Sequence, residues 1–241
     1  MSHVIRKLES NIWVAETEFR FAGADFGNRM TLIRLPSGKL LLHSPIEFNE
    51  LLAREIDLIG DVGFIITPNN FHGLFVERWC AKYPDARYYS TKENNIPGGH
   101  SLSQLSNEDL ESSVEIVAIE GISKLNEFVF FHSESATLIL TDLAFNFDCN
   151  VSLWSKIFYR LNGCYDKFGP SRLMKSMIDD PDELMLSLDK MNKCNFTRII
   201  VSHGKIVEEN AKLIFEKAFS REEAGLVKTK AKIKLSFSKC G

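Results

Sequence analysis

The clearest structural signal in the chain is the sequence Val62-Gly63-Phe64-Ile65-Ile66-Thr67-Pro68-Asn69-Asn70-Phe71-His72. Its first six residues form a short apolar run that is typical of a buried strand, and Pro68 ends that strand. Asn69 or Asn70 can cap a helix that then runs to Tyr83. A buried strand followed directly by a helix favours a layered α/β architecture.

The same alternation of strands and helices continues on both sides of this segment. Before it, residues 30–35 and 40–43 are predicted to form a hairpin around the turn Pro36-Ser37-Gly38-Lys39. After it, the pattern predicts strands at 114–119, 128–132, 136–142 and 197–202, and helical stretches at 151–193 and 204–219. No repeat or linker interrupts the chain. We therefore predict the α/β (α+β) class, with residues 1–241 in a single domain and 151–193 as a helical insertion.

Composition excludes several classes of protein. The 241 residues carry 29 Lys and Arg against 32 Asp and Glu, for a net charge of −3. A protein that mainly binds nucleic acid is usually basic, so the nearly balanced charge makes a nucleic-acid partner unexpected. The hydrophobic content of 44% excludes a disordered chain. With only six histidines, each one can be considered individually.

The cysteines and the apolar runs bear on compartment and membrane. The five cysteines are scattered and include no Cys-x-x-Cys pair, which favours reduced thiols and a cytoplasmic location. No apolar run reaches the roughly 18 residues that a transmembrane helix needs, and none near the start is typical of a signal peptide. The sequence therefore predicts a cytoplasmic protein with no membrane partner.

Polar residues follow several of the predicted strands. His72, His132, Asp142 and His203 each lie at or just past the end of an apolar run, and His43 closes another. Rigid strands of layered α/β folds deliver side chains to one edge, where sites are built. Histidine and carboxylate are ligands for a first-row divalent metal, with Zn²⁺ expected and Fe or Mn as alternatives. A single histidine in this position is more often simply hydrogen-bonded.

Two of these residues carry a further physical argument. His72 is expected in the first turn of a helix, where the helix dipole disfavours imidazolium and keeps the ring neutral and able to bind a metal. Asp142 directly follows an apolar strand, where a carboxylate needs a cation or several N–H donors. Both residues are therefore candidates for a buried metal site.

Several strings in the chain resemble the metallo-β-lactamase superfamily, and more closely a divergent branch of it without an assigned activity. In chain order they are Gly27-Asn28-Arg29-Met30-Thr31-Leu32-Ile33-Arg34, Leu41-Leu42-His43-Ser44-Pro45, Ile65-Ile66-Thr67-Pro68-Asn69-Asn70-Phe71-His72, Phe131-His132-Ser133-Glu134-Ser135-Ala136-Thr137, Leu140-Thr141-Asp142-Leu143-Ala144-Phe145-Asn146 and Val201-Ser202-His203-Gly204. The resemblance implies a four-layer αββα sandwich with a metal site along one edge of two sheets.

The resemblance also implies roles for individual residues. Active members carry a His-x-His-x-Asp-His motif, whose four positions fall here on Pro68, Asn70, His72 and Gly73. The motif is thus degenerate, because proline cannot bind a metal through its side chain.

The later residues of the superfamily pattern are retained in this chain. The later histidine of active members matches His132, the bridging aspartate matches Asp142, and the final histidine matches His203. His43 occupies the place of a supporting aspartate.

These matches imply a metal-dependent hydrolase with a reduced, mononuclear site and a small-molecule substrate. His72, Asp142 and His203 would hold the metal, His132 would be a fourth ligand or a proton shuttle, and Asn70 would orient or polarise a substrate carbonyl. The alternative is a catalytically inactive binding or structural module of the same fold that holds no metal.

Two peripheral segments complete the prediction. The helical insertion 151–193 would cover the site as a lid, although ordinary packing explains the same apolar residues. Residues 225–241 form a lysine-rich segment in which lysines and apolar residues alternate from Val227 to Leu235, which is typical of an edge strand or a solvated tail. The alternative is a surface for an anionic partner such as nucleic acid.

Overall fold

The computed structural model describes residues 5–91 and 98–220. Its strands are β1 (Ile5–Glu9), β2 (Ile12–Thr17), β3 (Arg20–Phe21), β4 (Ala24–Asp25), β5 (Asn28–Arg34), β6 (Leu40–His43), β7 (Val62–Thr67), β8 (Arg87–Ser90), β9 (Gly99–Ser101), β10 (Val114–Ala118), β11 (Phe128–His132), β12 (Thr137–Ile139) and β13 (Arg198–Ile200). Its α-helices are α1 (Glu50–Ile59), α2 (Val76–Lys82), α3 (Leu153–Asn162), α4 (Arg172–Ser176), α5 (Pro181–Lys193) and α6 (Ala211–Ala218).

The strands form two main sheets and a small hairpin. The first sheet has the order β1-β2-β5-β6-β7-β8-β9, and its strands from β6 to β9 are parallel. The second sheet has the order β10-β11-β12-β13, with β12 parallel to β13 and β11 antiparallel to β12. The parallel strands therefore fix, within each sheet, one edge at which several carboxyl ends meet.

Alternating side chains assign each strand face to a different layer. In β7, Phe64 and Ile66 join Phe130 and Ile200 of the second sheet in the core between the sheets, whereas Ile65 faces the opposite way. The outer face of the first sheet packs against α1 and α2, and that of the second sheet against α5 and α6. The predicted αββα sandwich is confirmed.

The structure corrects the helix expected directly after β7. Residues 69–75 form turns, and α2 begins only at Val76. The Asn69 side-chain oxygen accepts the backbone N–H groups of Phe71 and His72, at 2.8 and 3.0 Å, so Asn69 closes a turn and does not cap a helix. His72 consequently lies in a loop, and the helix-dipole argument for a neutral ring does not apply.

The peripheral segments divide between described and undescribed residues. Residues 151–193 contain the three helices α3, α4 and α5, as the sequence predicts. The lysine-rich segment 225–241 lies outside the described residues. Within residues 5–91 and 98–220, no helix is both long and apolar enough to cross a membrane.

A glycine between β10 and β11 provides a test of how α5 docks on the second sheet. Gly121 has a φ of +77°, and its carbonyl accepts the N–H groups of Asp179 and Asp180. A Cβ at this position would overlap the carbonyl oxygen of Asp180. We expect Gly121→Ala to lose about 3 kcal/mol or more of unfolding free energy, measured by urea denaturation.

The matched control is Gly38→Ala. Gly38 also has a positive φ, of +87°, but a Cβ there would meet nothing within 4 Å. This variant should show only the backbone strain of about 1–2 kcal/mol. Equal losses in the two variants would mean that the contact with Asp180 is unimportant.

Candidate metal centre

Three of the predicted residues converge where the two sheets meet. His72, Asp142 and His203 lie in the loops that follow β7, β12 and β13, all at carboxyl ends of parallel strands. Asp142 Oδ2 is 3.1 Å from His72 Nε2, and Asp142 Oδ1 is 3.4 Å from His203 Nε2. One ligand atom from each residue lies within 4.8 Å of the other two.

A backbone carbonyl fixes the orientation of His203. The ring nitrogen Nδ1 lies 2.7 Å from the carbonyl oxygen of Gly27, which can only accept, so Nδ1 carries the hydrogen. In the neutral ring, Nε2 then has a free lone pair that faces the carboxylate of Asp142. This is the arrangement that metal-binding histidines typically show.

A buried arginine holds the backbone around His203. The guanidinium of Arg29, on β5 of the first sheet, donates to the carbonyls of Val201 and Gly204, the second at 2.6 Å. Its other partner is Glu16, at 2.9 Å. Arg29 therefore links the first sheet to the backbone both before and after His203.

A serine orients His72 from the opposite side. Ser44 directly follows β6, and its hydroxyl oxygen is 2.6 Å from His72 Nδ1. Its backbone N–H donates to the carbonyl of Ile66 in β7, at 2.9 Å. The neighbouring strand thus positions the hydroxyl, and the hydroxyl directs His72 Nε2 toward Asp142.

A buried glutamate organises the loop that carries Asp142. Glu127 immediately precedes β11 and accepts the backbone N–H groups of Thr141, Asp142 and Leu143, at 2.7, 2.8 and 3.0 Å. It also accepts a hydrogen bond from the side-chain amide of Asn69, at 3.0 Å. One carboxylate therefore joins the loop after β12 to the loop after β7.

The side-chain amide of Asn69 also contacts Asp142 directly. Its Nδ2 lies 2.9 Å from Asp142 Oδ2 and 2.9 Å from the hydroxyl of Thr141. Because its oxygen holds the turn before His72, Asn69 couples the positions of His72 and Asp142.

Burial and neighbouring charge shift the titration of this group. Burial alone would raise the pKa of Asp142, but the adjacent His72 and His203 lower it overall. Burial alone would lower the pKa of His72, yet Asp142 and, further away, Glu127 raise it. Burial, together with the charge of Asp142, raises the pKa of Glu127. The centre therefore keeps Asp142 ionised, as a metal ligand must be.

The structure does not bring His132 into this group. It ends β11, which runs antiparallel to β12 and pairs His132 with Thr137, at the beginning of β12. Asp142 follows the other end of β12, beyond Ile139. The direction of its strand therefore separates His132 from the cluster of His72, Asp142 and His203, against the expectation of a fourth ligand. Its Nδ1 instead contacts the hydroxyl of Ser135, at 2.7 Å.

The structure engages both ends of the Asn70 side chain in hydrogen bonds to other loops. Its side-chain amide donates to the carbonyl of Lys124 at 3.1 Å, and its side-chain oxygen accepts from the hydroxyl of Thr91 at 3.0 Å. Asn70 does not line the cavity over His72, Asp142 and His203. Both ends of its side chain connect loops, and its role at a substrate carbonyl stays a prediction.

His43 lies behind the centre, between the two sheets. It is buried, its ring packs edge-on against Phe130 with 4.8 Å between centroids, and burial lowers its pKa to about 3. Within the described residues, neither ring nitrogen has a hydrogen-bond partner. His43 is therefore a neutral ring in the core behind His72.

A cavity of about 390 Å³ opens over the three clustered residues. Helices α3 and α4 contribute to its walls, in agreement with a segment that lies over the site. The polar lining consists of His72, Asp142 and His203 with Asn28, Asn162 and Ser171. The apolar lining is Phe19, Phe21, Phe26, Pro45, Phe71, Leu74, Phe75, Leu125, Phe145, Phe147, Phe158, Cys164, Leu173, Met174 and Met177.

Solved structures with this architecture share the whole sandwich. A metallo-β-lactamase from Pontibacter korlensis superimposes with a TM-score of 0.60 and 11% identity, over 90% of this chain and 98% of that chain. The chain has the metallo-β-lactamase fold. The metallo-β-lactamase FIM-1 from Pseudomonas aeruginosa, in its mono-zinc form, gives a TM-score of 0.62 and 10% identity, over 94% and 96% of the two chains.

A second kind of protein shares this metallo-β-lactamase fold. The metal-soaked flavodiiron core of a Synechocystis protein gives a TM-score of 0.62 and 10% identity, over 92% of this chain and 61% of that chain. No protein-family model matches the sequence, and no curated protein matches it.

Within this metallo-β-lactamase fold, the donor set fits one divalent metal. Tetrahedral zinc with bonds of 2.0–2.1 Å separates its ligand atoms by about 3.3 Å. Asp142 approaches His72 through Oδ2 at 3.1 Å and His203 through Oδ1 at 3.4 Å, and one ligand atom from each of the three residues lies within 4.8 Å of the others, so small side-chain shifts would bring them to that separation. The two imidazoles and the carboxylate are also the ligand types that zinc, iron and manganese accept.

Sequence reasoning missed three residues that build the centre. Ser44 and Glu127 give no local signal, because their roles depend on contacts between segments distant in the chain. Asn69 does carry a signal, since asparagine after a strand is typical of a turn. The side of the turn that its amide faces is set only by the packing of the two sheets.

Replacing Glu127 tests whether its carboxylate organises the centre. We expect Glu127→Gln to lose about 2 kcal/mol or more of unfolding free energy in EDTA, because the amide NH₂ would face buried N–H donors. Urea denaturation measures this loss. The control is Glu134→Gln, an exposed carboxylate whose hydrogen-bond donor among the described residues is Asn11, and it should change stability little. Unchanged stability of Glu127→Gln would contradict the proposed role of this carboxylate as the organising acceptor.

Proposed function

We propose that the chain is a metal-dependent hydrolase with a single divalent metal, held by His72, Asp142 and His203. The observation that carries this proposal is the orientation of His203. Its Nδ1–H donates to the carbonyl of Gly27, so the other ring nitrogen, Nε2, is the one that faces the carboxylate of Asp142, 3.4 Å away. A neutral imidazole aimed at an ionised carboxylate is unfavourable unless a cation or a proton lies between them.

The number of metals follows from the residues present. The two positions at which active members of the superfamily place the first histidines are Pro68 and Asn70, and Asn70 is engaged by Lys124 and Thr91. His132 lies at the other edge of the sheet. The described residues thus support one metal, as in the mono-zinc form of the structural neighbour FIM-1.

The chemistry follows from a metal at the bottom of a cavity. A divalent cation there would act as a Lewis acid and would make water nucleophilic near neutral pH, which is suited to hydrolysis. Ser44 and the Gly27 carbonyl fix the two imidazoles, and Asn69 fixes one oxygen of Asp142. The aromatic walls limit the access of bulk water.

A second candidate is a non-catalytic module of the same fold. It is favoured by the direct contact of His72 Nε2 with Asp142 at 3.1 Å, which closes the centre through an ion pair when His72 is protonated. Under this alternative, the three residues stabilise the junction of the two sheets and the protein binds no metal.

Metal content separates the two candidates. We expect the purified protein, after equilibration with Zn²⁺ and desalting, to carry close to one equivalent of zinc, and His203→Ala to carry almost none. Plasma mass spectrometry measures the content. The control is His132→Ala, another buried histidine outside the cluster, which should retain the metal. A wild-type protein without metal, and with a melting temperature insensitive to Zn²⁺, would favour the non-catalytic module.

Replacing Ser44, which contacts His72, tests the same centre without removing a proposed metal ligand. We expect Ser44→Ala to weaken zinc affinity by about 10- to 100-fold, because His72 loses the partner that orients its ring. Competition with a chromogenic chelator measures the affinity. Ser135→Ala is the matched control, since it removes a similar serine–histidine contact, of 2.7 Å, from His132. Equal effects of the two substitutions would contradict the proposed role of Ser44.

A further inference from the structure

We infer that the substrate of this centre is a small, uncharged carbonyl compound with a single apolar group, aromatic or aliphatic, and we take an ester or lactone as the form to test. The inference rests on the proposed function, because it assigns the substrate class of the same site. It is carried by three properties of the cavity: its charge, its walls and its size.

The charge of the cavity disfavours an anionic substrate. Among the described residues that line it, the ionisable ones apart from Cys164 are His72, Asp142 and His203, and none is lysine or arginine. A carboxylate or phosphate held away from the centre would lose its hydration without meeting a cationic side chain, which is costly in an apolar site. A neutral group pays no such penalty.

The walls favour an apolar group along the whole depth of the cavity. Near the centre, Phe145 packs on the ring of His203 with 5.8 Å between centroids, and it is buried together with Phe147 and Met174. Polar side chains are few and lie among these rings. A bound apolar group would therefore exchange water for contact with aromatic faces, at roughly 25 cal/mol per Å² of buried surface.

The rim of the cavity is also apolar. Phe21, Phe71, Leu74 and Leu173 line it and remain 50, 53, 71 and 51% exposed. Large apolar side chains grouped around an opening are typical of a binding site, whereas isolated ones are common on any surface. The rim and the walls thus offer one continuous apolar path from solvent to Asp142.

The size of the cavity limits the substrate to a small molecule. Its volume of about 390 Å³ is near the lower end of small-molecule sites, which span roughly 300–1,000 Å³. One aromatic ring system or one short acyl chain fits this volume together with the reacting group. A substrate with several large groups would have to extend past the rim.

The reaction that follows is hydrolysis of the carbonyl group. The oxygen of water bonds to the carbonyl carbon, and the bond from that carbon to the alkoxy oxygen breaks. The alkoxy oxygen keeps the electron pair and takes a proton that originates from the water. The products are an alcohol and a carboxylic acid, which ionises at neutral pH.

Binding to the metal-free protein tests the ligand class without requiring activity. The probes are N-phenylnaphthylamine, an uncharged aromatic fluorophore, and anilinonaphthalene sulfonate, the same aromatic frame with an anionic group. We expect the uncharged probe to bind the full chain in EDTA at least about 10-fold more tightly than the sulfonate, a difference of roughly 1.4 kcal/mol. Fluorescence titration measures both affinities.

Leucine substitutions locate the bound probe. Leu173→Glu and Leu74→Glu place a carboxylate on the rim at exposed positions. Each should lower the affinity for the uncharged probe by about 10-fold or more. The control is Leu58→Glu, an 89% exposed leucine on α1 that does not line the cavity. It should leave the affinity unchanged.

Activity of the zinc-loaded protein completes the test. We expect p-nitrophenyl butyrate to be hydrolysed faster than p-nitrophenyl acetate, and bis(p-nitrophenyl) phosphate not to be hydrolysed. The inference would be overturned, whatever the metal content, if the uncharged probe failed to bind or if the rim substitutions left its affinity unchanged. Probe binding at the rim without ester hydrolysis by zinc-loaded protein would overturn the ester assignment and count against the proposed hydrolase.

Discussion

The buried carboxylate of Glu127 is the interaction on which the centre depends. It accepts three consecutive backbone N–H groups, from Thr141, Asp142 and Leu143, and the side-chain amide of Asn69. Without this acceptor, the chain leaving β12 would bury unpaired donors beside an ionised aspartate. One acidic side chain thus shapes the Asp142 loop and fixes it to the loop that carries His72. The two sheets are joined at the edge where their parallel strands end.

The layered fold could be predicted from sequence because its signals are local. Residues 62–67 are apolar and bounded by Pro68, and the strands at 128–132 and 197–202 show the same pattern. Strands that alternate with helices place their carboxyl ends at one edge of a sheet, so His72, Asp142 and His203 could be grouped in advance. The three residues converge because the strands before them run parallel to their neighbours. Helical connections between strands predict this parallel direction.

The same reasoning was wrong for His132 because strand direction is not a local property. His132 ends an apolar strand, as Asp142 nearly does, but Ser133, Glu134 and Ser135 form a tight turn that reverses the chain. The next strand carries Asp142 back to the opposite edge. Helix length shows a related limit: the Asn69 oxygen accepts the N–H groups of Phe71 and His72 as a cap would, yet the helix begins only at Val76. The residue type of a cap therefore does not fix where a helix starts.

The cavity depends on segments that no local pattern relates. Phe26 follows β4, Phe145 follows β12, and Phe158 belongs to α3; all three contribute walls, and Phe26 contacts both of the others at 5.7–6.1 Å between centroids. Phe26 and Phe145 also contact the ring of His203, whose Nε2 is directed at Asp142. The aromatic side chains that stabilise the position of this histidine therefore also form the surface that a substrate meets. Changing the walls to suit another substrate would disturb the centre itself, which couples specificity to the stability of the site.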